Sequence, residues 1–302
     1  MKLKSADMLI DQISSFENLE RAFKNCSRGK RNTIGYMKSL FPIGEKLIEI
    51  SKKLSSDTYQ WGSYREFLVK DPKERLVMAA PFIDRIVHHA IHQIIEPICD
   101  EQISDSVFAC RHGRGNRAAV IEAYKVLQAY GEKRYVVKLD VTKYFPSINH
   151  NILMERLQKV LPDDSISRLL WSLLKSHPLY AETGHGIPIG NLTSQLFANF
   201  YLLSVDRMAL DGLGCSFKRT KEKPVFDSGH YIRYMDDCVL IGRDKSQVLD
   251  TVSKILLHVR EDLKLSMSYK KVTHLAGDPI PFLGFLIDHK SYSIPEKHFQ
   301  FF

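Results

Sequence analysis

The chain has 302 residues, with 43 Lys+Arg against 35 Asp+Glu for a formal charge of +8, 44% hydrophobic and 10% aromatic residues, and only 16 Gly and 12 Pro. These figures exclude a peptide, a disordered tail and a collagen-like or linker sequence, and describe a globular chain able to bury a core in two lobes. The first residues, Met1 to Asp11, hold no uninterrupted apolar stretch, and no later window approaches the ~18 apolar residues of a membrane span. The expectation is a soluble, unprocessed, cytoplasmic protein with no membrane partner. Five cysteines (Cys26, Cys99, Cys110, Cys215, Cys238) without a C-x-x-C pair argue for free thiols rather than a disulfide framework or a zinc ribbon.

In chain order, Leu9, Ile13, Phe16, Leu19 and Phe23 recur at helical spacing and predict an amphipathic helix over 6–23, with a second over 44–54. Over residues 21–38 Arg21, Lys24, Arg28, Lys30, Arg31 and Lys38 stand with no acid among them and with Phe23 and Tyr36 interleaved. A phosphate backbone suits such a stretch, and a solvated helix face or loop is the other reading. Strand patterns at 64–69 and 75–80 end at Pro81, and a helix is predicted over 83–99. His88 and His92 share its face as zinc ligands do, but neither the Glu nor the third ligand of a zincin accompanies them, so structural or RNA-facing histidines are expected. The glycine-punctuated loop Arg111-His-Gly-Arg-Gly-Asn lacks the Gly-Lys-Ser/Thr of a P-loop and leads into a helix over 116–130.

Tyr135-Val-Val-Lys-Leu-Asp140 reads as a strand ending in an acid. Pro146 then interrupts the chain before helices at 150–160 and 165–176. A loop with Gly184, Gly186, Pro188 and Gly190 precedes a helix over 192–210, and residues 231–242 form a hairpin pattern with two acids at its tip. A helix over 244–263 and short strands at 271–275 and 281–287 complete an α+β pattern without βαβ regularity. Asp140, Asp236 and Asp237 thus all lie at strand ends, where they can converge. Oxygen-rich clusters of this kind hold Mg²⁺, and two such ions ~4 Å apart serve phosphoryl or nucleotidyl transfer. Acids that merely favour turn geometry are the bland alternative.

The tetrad Tyr234-Met-Asp-Asp237 resembles the metal-binding turn of reverse transcriptases, and other motifs of that family stand in the expected order. Asp140-Val-Thr-Lys-Tyr-Phe-Pro-Ser-Ile resembles the first palm motif, and Gly186-Ile-Pro-Ile-Gly-Asn-Leu-Thr-Ser-Gln-Leu-Phe-Ala-Asn the following loop and helix. Pro281-Phe-Leu-Gly-Phe285 is similar to the primer-grip hairpin. Upstream, Arg75-Leu-Val through Asp84-Arg-Ile-Val-His-His-Ala and Phe108-Ala-Cys-Arg-His-Gly-Arg-Gly resemble the fingers motifs. Where most members have Gln-Gly, this chain has Ile189-Gly190 followed by Ser194-Gln195, a pattern that resembles the reverse transcriptases of diversity-generating retroelements. The segments around Leu9-Ile-Asp-Gln-Ile, Glu17-Asn-Leu and Ser27-Arg-Gly-Lys-Arg-Asn are similar to that subfamily too.

The resemblance implies a right-hand polymerase fold of fingers and palm: 1–60 an N-terminal helical, basic segment, 61–134 fingers with helices inserted from 150–185, 135–287 palm, and 288–302 the start of a thumb that is truncated or supplied from elsewhere. It implies RNA-directed DNA synthesis with two Mg²⁺ ions, Mn²⁺ being able to substitute. Template adenines would be miscopied. Template RNA, nascent cDNA, deoxynucleoside triphosphates and a small basic oligomeric accessory protein would be partners. Asp140, Asp236, Asp237 and the carbonyl of Val141 then hold the metals. Phe145 matches the gate that crowds a ribose 2′-hydroxyl, and Arg75, Arg111 and Lys271 (or Lys270) are candidates for the triphosphate. Ile189 and Gly190 contact nucleotide or primer, Phe282, Leu283 and Gly284 form the primer grip, and Arg28, Lys30 and Arg31 touch nucleic acid. Alternatives are a retron, group II intron or antiviral reverse transcriptase, and a catalytically idle RNA-binding subunit.

Overall fold

The structure is a computed structural model that describes residues 9–29, 36, 41–70, 74–132, 134–216, 229–274 and 279–295. The chain divides into two compact units, Met1–Gln102 with Phe145–Tyr201, and Ile103–Tyr144 with Leu202–Phe302.

The first unit is mainly helical. Its N-terminal helix, expected to run unbroken, is two helices, Leu9–Ser14 and Phe16–Ser27, because Ser15 leaves helical geometry and its hydroxyl accepts from Asn18 N at 3.3 Å. The Asn18 amide in turn donates to the carbonyls of Ile13 and Ala90, fastening both helices to the 20-residue helix Phe82–Glu101. At the start of that helix Asp84 accepts from Tyr59 Oη and Gly62 N, each at 2.7 Å, which fixes the preceding loop. The strands β1 (Arg65–Lys70) and β2 (Glu74–Ala79) form a two-stranded antiparallel ribbon whose first strand is exposed throughout. Helices Ile43–Ser55, His150–Gln158, Asp164–Leu174, Pro178–Thr183 and Leu192–Tyr201 complete the unit. Asp163 caps one of them through Ser165 N and Ile166 N, and its other oxygen accepts from Leu9 N.

The second unit is a helix-backed sheet. Strands β3 (Tyr135–Val141), β4 (Gly229–Tyr234), β5 (Asp237–Gly242) and β6 (Met267–His274) lie in the order β4-β5-β3-β6, all pairs antiparallel. A smaller sheet follows, of β7 (Ile280–Phe282), β8 (Phe285–Ile287) and β9 (Tyr292–Ser293). Apart from Lys138 and Asp140 of β3 and Asp237 of β5, the central strands are mostly apolar, as strands covered by helices must be. Their side chains Val136, Ile232, Val239 and Ile241 join Ala123 and Leu127 of the helix Asn116–Tyr130, and Ile280, Phe282 and Ile287 of the small sheet, in one core. Helices Leu203–Leu213 and Lys245–Glu261 pack beside it, joined by Ser204 Oγ to His258 Nε2 at 2.6 Å. The expected 192–210 helix is thus split at Leu202. Among the described residues no helix is long and apolar enough to cross a membrane. The α+β class expected from the sequence is the one these elements form.

Candidate active site

Alternation along β3 and the pairing of β3 with β5 bring the acids together. Asp140, the penultimate residue of β3, stands directly across from Asp237, the first residue of β5, so both carboxylates share one face of the sheet. Tyr234 pairs with Asp237 across a two-residue turn of Met235 and Asp236. Met235 has φ 58°, the left-handed geometry that the first central residue of such a turn adopts and that glycine usually supplies. A methionine there stores strain of ~1–3 kcal/mol.

Buried chemistry beneath the turn holds it in place. Arg233 is fully buried, and its guanidinium meets Asp206 bidentately, Nε to Oδ1 at 2.6 Å and Nη2 to Oδ2 at 2.7 Å. Its Nη1 donates to the carbonyl of Met235 at 2.9 Å, and Tyr231 Oη donates to Asp206 Oδ1. The Arg233 backbone also exchanges hydrogen bonds with Ser106 and Phe108. Neither Arg233 nor Asp206 was singled out from the sequence. The available signal was a charge inside an otherwise apolar strand, which only a buried partner makes tolerable.

Asp237 is pushed up to about 6, first by burial; Lys138 opposes the shift, while the Asp140 and Asp236 carboxylates add to it. Lys138 Nζ lies 2.7 Å from Asp237 Oδ2, whereas Oδ1 is buried without a hydrogen-bond partner. Lys138 was also missed, although it sits two residues before Asp140 and hence on the same strand face. Among the described residues no three His, Cys, Asp or Glu side chains converge as a formed metal cage. The donor set nevertheless fits Mg²⁺: hard carboxylate oxygens that repel one another, one of them orphaned in a buried position.

The other singled-out residues fall in three groups. In the first unit, the loop bearing Ile189 is laid against β2 and the 145–150 segment: Ile189 O accepts from Met78 N at 2.9 Å, Ile187 N donates to Phe145 O at 3.0 Å, and Gly186 N donates to Ile148 O at 2.8 Å. Gly190 has φ 121°, and a Cβ there would stand 3.0 Å from Met78 O, which explains the glycine. Phe145 and Ile189 are half-buried, and Arg75 is exposed on the ribbon. In the second unit, Arg111 Nη1 donates to the carbonyls of Ser104 and Val107, so part of its guanidinium fixes the local loop. Phe282 is buried, and Leu283 (φ 51°) with Gly284 (φ 84°) forms the two-residue β7–β8 turn. Val141 ends β3, and Lys271 lies in β6 with its side chain outside the described residues. Arg28 is exposed just after the Phe16–Ser27 helix, while Lys30 and Arg31 lie outside the described residues. His88 is buried, its Nδ1 bonded to Thr193 Oγ1 at 2.8 Å, and burial pushes it down to about 3, which makes it a neutral structural histidine.

Residues 69–287, more than two thirds of the chain, match the family model described as reverse transcriptase (RNA-dependent DNA polymerase). The chain belongs to the reverse transcriptase family. Among curated relatives, the group II intron-encoded protein LtrA of Lactococcus lactis subsp. cremoris is 26% identical over 229 residues, 73% of this chain and 37% of that one. Retron Ec73 reverse transcriptase of Escherichia coli is 23% identical over 176 residues, 56% of this chain and 52% of that one. The chain spans 37% and 52% of the length of these two relatives. A solved telomerase from Candida albicans, in complex with a fragment of telomeric RNA, is similar in fold, with a TM-score of 0.53 at 12% identity over 79% of this chain and 46% of that one.

Proposed function

We propose that this reverse transcriptase is an RNA-directed DNA polymerase whose chemistry rests on Asp140, Asp236 and Asp237. The observation that carries the reading is the register of β3 on β5, which sets Asp140 across from Asp237 with Asp236 in the adjoining turn. These carboxylates, with the Val141 carbonyl, would hold two Mg²⁺ ions, and Mn²⁺ is a workable substitute. Bound there, the ions lower the pKa of the attacking hydroxyl and stabilise the leaving oxygen. The protein's own part is electrostatic and positional. Burial and mutual repulsion keep the carboxylates poised for a cation, and the Arg233–Asp206 pair fixes the turn that presents two of them. Phe145 excludes a 2′-hydroxyl by bulk, and Arg75, Arg111 and Lys271 bind triphosphate oxygens, Arg75 and Arg111 through guanidinium geometry suited to paired hydrogen bonds. Phe282, Leu283 and Gly284 seat the primer end, and Arg28, Lys30 and Arg31 bind backbone phosphates. Fingers over 61–134 and palm over 135–287 are the corresponding assignments.

Within the family we assign the chain to the diversity-generating retroelement type, working with template RNA and a small basic accessory oligomer in the cytoplasm. Ile189 supports this. Its main chain is pinned to β2 and its side chain is half-buried, so an aliphatic group offers shape where a glutamine would offer directional hydrogen bonds. Sites that lack hydrogen-bond readout discriminate poorly. Ile189→Gln is therefore expected to lower misincorporation opposite template adenine by about tenfold, the order of one recovered hydrogen bond; cDNA sequencing checks this, and an unchanged spectrum contradicts it. A second reading, a group II intron or retron type, is favoured by the relatives named above and predicts accurate copying of adenines by the unmodified protein.

A further inference from the structure

The side chain of Lys138 links two parts of the second unit that are far apart in sequence. Because Asp140 pairs with Asp237, Lys138, which pairs with Val239 two positions along, stands next to the acids on the same face of the sheet. Its Nζ touches Asp237 Oδ2 at 2.7 Å, donates to Pro281 O at 3.2 Å, and lies 5.8 Å from the centroid of the Phe282 ring. Pro281 and Phe282 belong to the β7–β8 hairpin. The Lys138 and Asp237 side chains retain 21% and 19% of their exposure, so the pair is largely desolvated. An ammonium on one carboxylate oxygen, with the other oxygen orphaned, supplies only part of what a divalent ion supplies.

We propose that Lys138 is a positioning residue: an internal counter-cation that holds Asp237 in the metal-free centre, yields the carboxylate when a divalent ion binds, and then keeps the Pro281 carbonyl and the Phe282 ring as its partners. Metal loading and the seating of the β7–β8 hairpin are coupled through this one side chain. The inference rests on the metal-centre reading above. A lysine suits the task, since its compact ammonium carries three donors on a flexible stem and can exchange one acceptor for another, which a rigid guanidinium fork does less readily. Its charge also repels an incoming cation, so removing it favours divalent binding.

The test is a Mn²⁺ titration of the substrate-free full chain, read by electron paramagnetic resonance, on wild type, Lys138→Met and Lys138→Arg, with amide exchange of residues 280–287 measured alongside. The expected result is Mn²⁺ binding about tenfold tighter in Lys138→Met, faster exchange of the hairpin amides in that variant, and in Lys138→Arg, which keeps the charge, Mn²⁺ affinity close to wild type with a smaller Mn²⁺ effect on the hairpin. In the wild type, Mn²⁺ is expected to slow exchange at 280–287, a readout that needs no variant to fold. Equal or weaker binding by Lys138→Met while the wild type binds, or hairpin exchange in the wild type indifferent to Mn²⁺, overturns the proposal alone. No Mn²⁺ binding by any of the three overturns the metal-centre reading and this proposal with it.

Discussion

Asp237→Asn is expected to reduce primer extension by about 10³-fold or more, the loss that follows when several kcal/mol of charge stabilisation disappear. The same substitution changes the pH dependence of stability. In the metal-free protein Asp237 titrates near 6 against an ordinary 3.8, raised first by burial and then by Asp140 and Asp236 against the opposing pull of Lys138. A raised carboxyl binds its proton more tightly in the folded than in the unfolded chain. Its contribution is therefore present at low pH and is lost as pH rises from about 4 through about 6. Thermal melts of the metal-free wild type should fall across that window and level off above it, and the Asn variant should lack this component. A wild-type curve that rises between pH 4 and 6 in step with that of Asp237→Asn would contradict the assignment.

The second large effect is expected at Arg233, which touches no substrate in this account. Arg233→Met leaves Asp206 as a buried carboxylate whose only remaining side-chain donor in the group is Tyr231, and removes the donor to Met235 O. Breaking a buried pair from one side costs ~3–5 kcal/mol, read as a lower urea midpoint. The double variant Arg233→Met with Asp206→Leu should cost less than the two single losses summed, because an apolar pair leaves no charge stranded. Arg233→Lys keeps the charge but not the bidentate geometry, and should lower kcat more than KM as the strained turn at Met235 loosens. Additive single losses in the cycle would show that the two side chains are not energetically joined.

What was legible in the sequence follows from physics that acts locally. The ribbon of β1 and β2, the Phe82–Glu101 helix, β3 ending near Asp140 and the Tyr234-Met-Asp-Asp237 hairpin all announce themselves through periodicity or a turn between β-formers. Element breaks were less legible. Ser15 ends one helix and caps the next, an effect of one hydroxyl, and the split at Leu202 leaves the apolar pattern unchanged across it. The acids could be named from the sequence because a strand-closing Asp and a Tyr-Met-Asp-Asp turn between β-formers are local patterns. Their neighbours could not, because Lys138 and Asp206 gain their meaning only from the register of β3 on β5 and the position of the Leu203–Leu213 helix. Arg111 illustrates the converse: its loop was legible, yet two of its hydrogen bonds go to its own backbone neighbourhood.

The most direct test of the account is primer extension on an RNA template with Mg²⁺ and four deoxynucleoside triphosphates, comparing the wild type with Asp236→Ala. Full dependence of cDNA on Asp236 is the predicted result, with product from the wild type and none from Asp236→Ala. Equal DNA synthesis by both proteins, or product only when ribonucleotides are supplied, would contradict it.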